Sequence, residues 1–582
     1  MKARKRAGRL TQVFLVLAGV LVLRLFQLQV VQGNRHSALS DRNRIRKLVL
    51  PGPRGRVFDR RGNTIADTRP SFTVSVIPTE MSDSTLPALA RILGIKEDEM
   101  RDKVSPVSFM SSPVKVRRNV DRRTILAVEA NSFRLPGVRT SVDPSRSYPY
   151  GERFCHALGH LGEVGPVDLE RDSLLRALDY VGRSGIEARY ESMLRGIDGY
   201  EYIEVDVFGH EIGPLPEKRP IPAVAGKDLH LTLDPALHQQ AYWLTTSYAR
   251  ASVVALDARS GAVLCLFSRP GFDPNLFTSR IPEARWDSLA SNPDKPLFNR
   301  AVSAGYPPGS ILKPLVALAA LDNGVVTPET RYEPCRGKYR YGNRDFSCWN
   351  RHGTLDLLGA ITHSCNVYFY QLGLELGLDS LAAYCRRFPL GRKTGIDLPG
   401  EVDGNLPDRA WLDDRYGAGE WKAGVLLNLA IGQGEILATP LQMAVAYSVL
   451  ANRGFYFSPH VLARVDSAGK TSYRTRPKRV EVPLDQRNLS SVSLALERVV
   501  EYGTARTARL REITIAGKTG TAQNPGGLDH AWFVGYAPAD QPEIVIAVLV
   551  ENSGHGGVVA APIARQLFRT WFMLADPEDQ PG

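Results

Sequence analysis

The chain has 582 residues, more than one core usually organises, so roughly two to four domains are expected. Hydrophobic residues at 43% and charged residues at 23% exclude wholesale disorder. The formal net charge is +12, but the basic residues are scattered, with no long Lys/Arg stripe and interleaved aromatics beyond the N-terminus. That excludes a nucleic-acid groove and suits an anionic surface such as a membrane or a cell-wall polymer.

Residues 1–9, "MKARKRAGR", carry five basic side chains and no acid. Residues 10–31 are then apolar except for Thr11, Gln12, Arg24, Gln27 and Gln29. A helix of that length, rising about 1.5 Å per residue, crosses a hydrocarbon core. The flanking charges put the N-terminus inside and the rest of the chain outside, with Arg24 snorkelling to the outer interface. No A-x-A cleavage site follows, so an uncleaved anchor is expected over a signal peptide. Either one exports the remainder.

Export bears on the six cysteines. Cys155, Cys265, Cys365 and Cys385 stand singly in apolar or helical stretches and read as buried free thiols. Cys335 and Cys348 flank the polar segment "RGKYRYGNRDFS", a hairpin or loop that a disulfide between them would close. A metal site of Cys335, Cys348 and His352 is the alternative, although the spacing matches no common zinc signature.

After the anchor, residues 54–78 read as short strands around the turn Asp59-Arg60-Arg61-Gly62-Asn63, ending in the alternating strand "SFTVSVI". Helical patterns cover 84–103 and 121–134, and "YEYIEVDVFG" reads as a half-exposed strand. Four prolines in residues 213–225 mark a boundary. Beyond it come a strand and helix from Asp228, then the hairpin "SVVALD"–"AVLCLF". Helical segments dominate from about 310 to 450, and strand signals return at "ITIAGKTGTA", "HAWFVGYAP" and "EIVIAVLVE". Strands at both ends with helices between them predict an α+β domain whose sheet draws on both termini. The divisions expected are a tail (1–9), an anchor (10–31), a first exported domain (32–225), a second (226–575) and a C-terminal tail (576–582).

Three motifs carry the chemistry. In "YPPGSILKP", Ser310 and Lys313 stand three apart at a helix start, so the lysine amine can reach the serine hydroxyl. A desolvated lysine can serve as the base that a serine nucleophile needs, and helix N-terminal N–H groups favour a developing oxyanion. A capping serine and a solvated lysine would look the same in isolation. "SCN" adds Ser364 as a proton relay and Asn366 as an amide that can hold a peptide. "KTGT" adds Lys518, Thr519, Gly520 and Thr521, a cation and backbone groups for a carboxylate, read as following a strand. Their order S-x-x-K, S-x-N, K-T-G, at separations of 54 and 154 residues, matches the signature set of penicillin-binding proteins and serine β-lactamases.

On these motifs the chain resembles the class B penicillin-binding proteins of the elongation type. "RGRVFDRRGNTIA", "RSYPYGERFCHALGHLG" and "GRSGIEARYESMLRGIDG" resemble the family's exported N-terminal region. "NRAVSAGYPPGSILKP", "NLAIGQGEILATPLQMA" and "DHAWFVGYAP" resemble its transpeptidase domain. The resemblance implies a multi-domain α+β architecture. A single transmembrane helix would carry an elongated, β-rich pedestal of the dimerisation type, then a β-lactamase-like transpeptidase domain with a sheet flanked by helices.

It also implies a peptidoglycan D,D-transpeptidase in the cytoplasmic membrane, with its catalytic domain on the outer face. Ser310 would attack a stem pentapeptide and release D-Ala, with Lys313 as base and Ser364 as relay. Asn366 would hold a substrate amide, Lys518, Thr519 and Thr521 the terminal carboxylate, and the N–H groups of Ser310 and Thr521 the oxyanion. β-Lactams would acylate Ser310. No metal or organic cofactor is implied; the partners are a RodA-type membrane glycosyltransferase and its elongation complex. Two departures stand out: Ile311-Leu312 replace the more usual Thr-Phe, and "SCN" stands where some relatives have Asp. A division-type transpeptidase, a D,D-carboxypeptidase and a non-catalytic β-lactam sensor or scaffold remain as alternatives.

Overall fold

The computed structural model describes residues 2–34, 45–105, 113–172, 175–176, 179–205, 211–279, 281–524 and 526–574. The expected C-terminal tail, residues 576–582, lies outside the described residues, as do residues 206–209 of the strand "YEYIEVDVFG". The basic and apolar N-terminal run forms one helix, Lys2–Phe26, that continues as a π-helical turn, Gln27–Val31. Among the described residues it is the one helix long and apolar enough to cross a membrane, over Phe14–Val31. Arg24 does not stand alone there, since its guanidinium donates to Gln27 Oε1 at 2.7 Å.

The rest of the chain forms two compact units. The smaller comprises residues up to Arg54, Arg69–Ser145 and Arg195–Gly226. Its core gathers Val74 and Val76, Leu89 and Leu93, Met100, Val116, Ile125 and Val128. Strand Ile45–Leu50 pairs antiparallel with Gly199–Val205, which pairs in turn with Glu211–Pro214. Helices Thr85–Leu93, Glu97–Val104 and Arg122–Ala130 occupy the two stretches whose periodicity predicts them.

The larger unit takes Lys227–Gly582 and also two earlier segments, Gly55–Thr68 and Arg146–Leu194. Compactness therefore groups the chain differently from a linear cut near residue 226. The reason is hydrogen bonding. Strand Val57–Phe58 pairs parallel with Asp228–Leu231, which pairs antiparallel with Leu462–Ser467. A buried ion pair joins Arg146 Nε to Glu187 at 2.6 Å, and Arg146 also donates to the Gly55 carbonyl at 2.6 Å. A buried pair left without either partner is costly, so the two segments are fixed together. The Asp59 carboxylate closes the turn predicted there, accepting from the N–H of Arg61 and of Asn63.

The central sheet of the larger unit has five antiparallel strands: β1 (Ala251–Asp257), β2 (Val263–Arg269), β3 (Ala516–Ala522), β4 (His530–Ala537) and β5 (Ile544–Val550). Their order is β2-β1-β5-β4-β3, so both chain halves supply strands and β3 is an edge. β5 is buried at every residue, as an apolar run between two neighbours should be. The helices that bear on the site are α1 (Lys313–Asp322), α2 (Asn366–Leu376), α3 (Pro440–Ala451) and α4 (Gln486–Glu501). α3 is buried all round and packs on β5, β1 and β4, while α4 packs on β3 and α1. One expectation is corrected here. The strand read from Ile513 begins only at Ala516, so Lys518–Thr521 lie inside strand β3 and not after it.

Candidate active site

The turn before α1 is not α-helical. Gly309–Leu312 form a single 3-10 turn, with Gly309 at φ +57°, and α1 starts at Lys313. A 3-10 turn has about three residues, so positions i and i+3 eclipse and Lys313 falls in line with Ser310. Pro314 fits the first turn of α1 because its missing N–H would have no partner there. The turn is pinned from two sides: Tyr447 Oη donates to the Ile311 carbonyl at 2.9 Å and Trp532 Nε1 to the Pro307 carbonyl at 3.1 Å. Ile311 and Leu312, the two departures from the more usual motif, are fully buried core residues. Ser310 is half-buried, whereas Lys313 beside it is sealed at 0% exposure.

Lys313 Nζ makes its contacts with the second motif. It donates to the Ser364 carbonyl at 2.9 Å, to Ser364 Oγ at 3.4 Å and to Asn366 Oδ1 at 2.6 Å. Ser364 does not open a helix, as its sequence context suggests. It sits at φ +56° between two helices, Cys365 is the N-cap and α2 begins at Asn366. A left-handed conformation in a residue with a Cβ is uncommon and clusters at functional sites. Burial lowers the Lys313 pKa to about 8, against an upward pull from Cys348, Cys365 and Cys335.

The third motif lies on the edge strand. Lys518 is fully buried and donates to the Thr519 carbonyl at 3.0 Å; burial, then the charge of Lys313, push its pKa well below the ordinary lysine value. Thr519 Oγ1 pairs with Thr504 Oγ1 at 2.7 Å. A Cβ at Gly520 would stand 2.8 Å from the Pro308 carbonyl, and one at Gly309 would stand 2.9 Å from the Thr521 carbonyl. Glycine at both places lets β3 lie directly against the serine turn. The structure thus joins Lys313, Ser364 and Asn366 by hydrogen bonds, and the Ser310 turn to Gly520 and Thr521 by backbone contact.

Sequence reasoning missed Thr504 and Gln433, whose amide bonds to Thr521. The only signal for Gln433 was a polar residue between two glycines in "IGQG". It also misjudged the cysteines. All six are free thiols, so the expected Cys335–Cys348 disulfide is corrected, and Cys365 is not an isolated core thiol. Donor atoms of Cys335, Cys348, His352 and Cys365 all lie within 4.8 Å of one another. Cys335 Sγ and Cys348 Sγ stand 3.6 Å and 3.5 Å from His352 Nδ1. Ligands on a tetrahedral zinc, at about 2.0–2.3 Å from the ion, are spaced at about that distance, and three thiolates with one imidazole are a structural zinc set. Hydrogen bonds from Cys365 and His352 hold the Cys348 thiol well below its ordinary pKa, whereas Cys365 is pushed up. The Asn366 N–H donates to Cys348 Sγ at 3.2 Å, which ties this cluster to the second motif.

Residues 251–569 match the family model described as the penicillin-binding protein transpeptidase domain, and residues 49–231 the one described as the penicillin-binding protein dimerisation domain. The chain is 35% identical over 579 residues to the peptidoglycan D,D-transpeptidase MrdA of Acinetobacter baumannii, covering 95% of this chain and 85% of that relative. Among solved structures it is similar to the Helicobacter pylori penicillin-binding protein PBP2 in complex with MreC. The TM-score is 0.79 at 27% identity, over 91% of this chain and all of that one. It is also similar to a chain from a peptidoglycan synthase complex studied for the coordination of polymerization and crosslinking. There the TM-score is 0.72 at 28% identity, over 99% of this chain.

Proposed function

The chain belongs to the class B penicillin-binding protein 2 family of elongation-type peptidoglycan D,D-transpeptidases, and from that premise we propose that Ser310 is its nucleophile and Lys313 its base. The observation that carries this reading is the sealed, depressed lysine amine, one 3-10 turn from a half-buried serine and bonded to Ser364 and Asn366. Ser310 Oγ attacks the carbonyl carbon of the penultimate D-Ala of a stem pentapeptide, and its proton passes to neutral Lys313 Nζ. The N–H groups of Ser310 and Thr521 hold the oxyanion. The C–N bond then breaks, the terminal D-Ala leaves with a proton delivered through Ser364, and an ester remains on Ser310. An acceptor amine attacks that ester, forms the cross-linking amide and returns a proton to Ser310 Oγ. Asn366 holds a substrate amide, while Lys518, Thr519, Gly520 and Thr521 receive the terminal carboxylate. β-Lactams stop at the ester.

In this reading the N-terminus lies in the cytoplasm and the transpeptidase domain outside the cytoplasmic membrane, which the basic residues ahead of the apolar helix support. The partners in this reading are a RodA-type glycosyltransferase and the elongation complex, in keeping with relatives solved with MreC and within a synthase complex. The test is cross-linking of lipid-linked precursor with an active polymerase present. Cross-linked dimers lost in Ser310→Ala support it; dimers made by that variant, or none made by the parent, overturn it.

The cysteine cluster favours a second element. We propose that Cys335, Cys348, His352 and Cys365 hold a zinc ion that fixes the Ser364–Asn366 segment to the hairpin of strands Lys338–Tyr341 and Arg344–Ser347. The support is the convergence of four donors of the right chemistry, one of them adjacent to Asn366. Elemental analysis of the purified chain reads the outcome: about one zinc per chain, lost in Cys348→Ser, against no bound metal.

A further inference from the structure

Gln433 reaches the edge of β3 with its side-chain amide. Its Nε2 donates to the Thr521 carbonyl at 2.9 Å, and its Oε1 accepts from the Gln523 N–H at 3.2 Å. A neighbouring strand would satisfy those same two groups, one C=O and the N–H two residues on. One buried amide, 8% exposed, therefore stands in for a sixth strand at this point. Elsewhere the same edge behaves alike, since the Thr519 carbonyl also takes a side-chain donor, Lys518 Nζ.

In an antiparallel strand the N–H and C=O of one residue point to the same side. Thr521 pairs in register with Ala531 of β4, but its carbonyl is turned outward to Gln433, so its N–H faces outward too. That is the side on which the serine turn lies, because a Cβ on Gly309 would meet the Thr521 carbonyl at 2.9 Å. The residue before Gln433 grips the serine turn itself. The Gly309 N–H donates to the Gly432 carbonyl at 2.8 Å, and a Cβ on Gly432 would stand 2.2 Å from the Gly309 carbonyl. Gly432 and Gly434 both have positive φ, +72° and +76°, so the segment is a tight turn between its two contacts.

We infer that Gln433 is a positioning residue for the oxyanion hole: the Gly432–Gln433 turn spans from the residue before Ser310 to Thr521 and sets the spacing and direction of the two N–H donors. Gln433 touches no reacting atom. It acts by fixing the Thr521 peptide groups, and the inference rests on the reading of Ser310 and Thr521 given above.

The test uses the full chain in detergent, with a penicillin as the acylating probe, in the parent, Ser310→Ala, Gln433→Met and Gln433→Glu. Labelling of the parent and its loss in Ser310→Ala establish the underlying reading independently of Gln433. Removing an oxyanion donor outright costs about 10²–10³ in rate, so misdirecting one is expected to slow acylation by about 10- to 100-fold in Gln433→Met. The specific signature is vibrational. The ester carbonyl of the acyl-enzyme should absorb at higher wavenumber in Gln433→Met than in the parent, while the pH midpoint of acylation stays in place. Gln433→Glu keeps the acceptor for Gln523 but loses the donor to Thr521, so it should show the same carbonyl shift, and it serves if Gln433→Met does not fold. An unshifted carbonyl in a folded variant overturns the inference, whether acylation is unchanged or slowed in step with a lower Tm.

Discussion

On one side of Lys313 the serine turn and β3 meet through backbone, with glycine at 309, 432 and 520 removing the side chains that would hold them apart. On the other side Ser364 and Asn366 are held by thiols, an imidazole and a hairpin edge: Cys348 Sγ accepts from the Asn366 N–H, and the Ser347 carbonyl accepts from Asn366 Nδ2 and Tyr370 Oη. The first wall rests on close backbone fit and on hydrogen bonds from Tyr447, Trp532 and Gln433, and none of those contacts uses a thiol or an imidazole. The second is made of groups whose state follows metal, redox potential and pH. The difference predicts that the two walls fail under different conditions, although Lys313 joins them, following the serine turn in the chain and bonding Ser364 and Asn366 through its amine.

The largest effect is expected at Lys313, where the two walls meet. Lys313→Ala removes the base, and stopped-flow acylation by a fluorescent penicillin should fall by about 10²–10⁴-fold. A loss of only a few fold would assign the base elsewhere. Next, Gly432→Ala attacks the first wall, since its Cβ would meet the Gly309 carbonyl at 2.2 Å and its φ is +72°. Strain of about 1–3 kcal/mol from the backbone alone should lower Tm and acylation together, and added zinc should not restore either. Stripping metal under reducing conditions attacks the second wall. Acylation and Tm should fall in the parent and return with zinc, while a chain already lacking the cluster, Cys348→Ser, should not respond.

The smallest effect is a pH dependence. Lys313 is depressed to about 8 by burial, and only its neutral form accepts the serine proton. Below that value the neutral fraction falls tenfold per pH unit, so acylation at pH 7 should run roughly tenfold below its plateau, reached above about pH 9. A flat profile between pH 6 and 9, measured by the same stopped-flow assay, would contradict the assignment.

Local pattern made the three motifs and the sheet hairpin legible, because each depends on residues near one another in the chain. Ser310 with Lys313 is visible as a spacing, and β1 with β2 as two apolar runs around "ARSG". What stayed hidden depends on contacts between distant segments. Cys365 reads as core because it leads into the helical-looking stretch "VYFYQLGLEL", and nothing local reveals that the hairpin returns Cys335 and Cys348 to it. The position of Lys518 inside β3 is not legible locally, because the β-branched run Ile513–Ile515 outweighs the Gly-rich "AGKTGTA" in strand propensity. Pairing with β4 overrides that preference. Gln433 is a polar residue in a turn until its amide is seen across from Thr521 and Gln523, about ninety residues away in sequence.

The central claim is that Ser310 carries the acyl group. Peptide mapping by tandem mass spectrometry of the full chain after brief exposure to a penicillin tests it most directly. The account predicts one adduct, on the Ser310 hydroxyl, absent from Ser310→Ala; an adduct on Ser364 or on any cysteine of the cluster, with Ser310 unmodified, would contradict it.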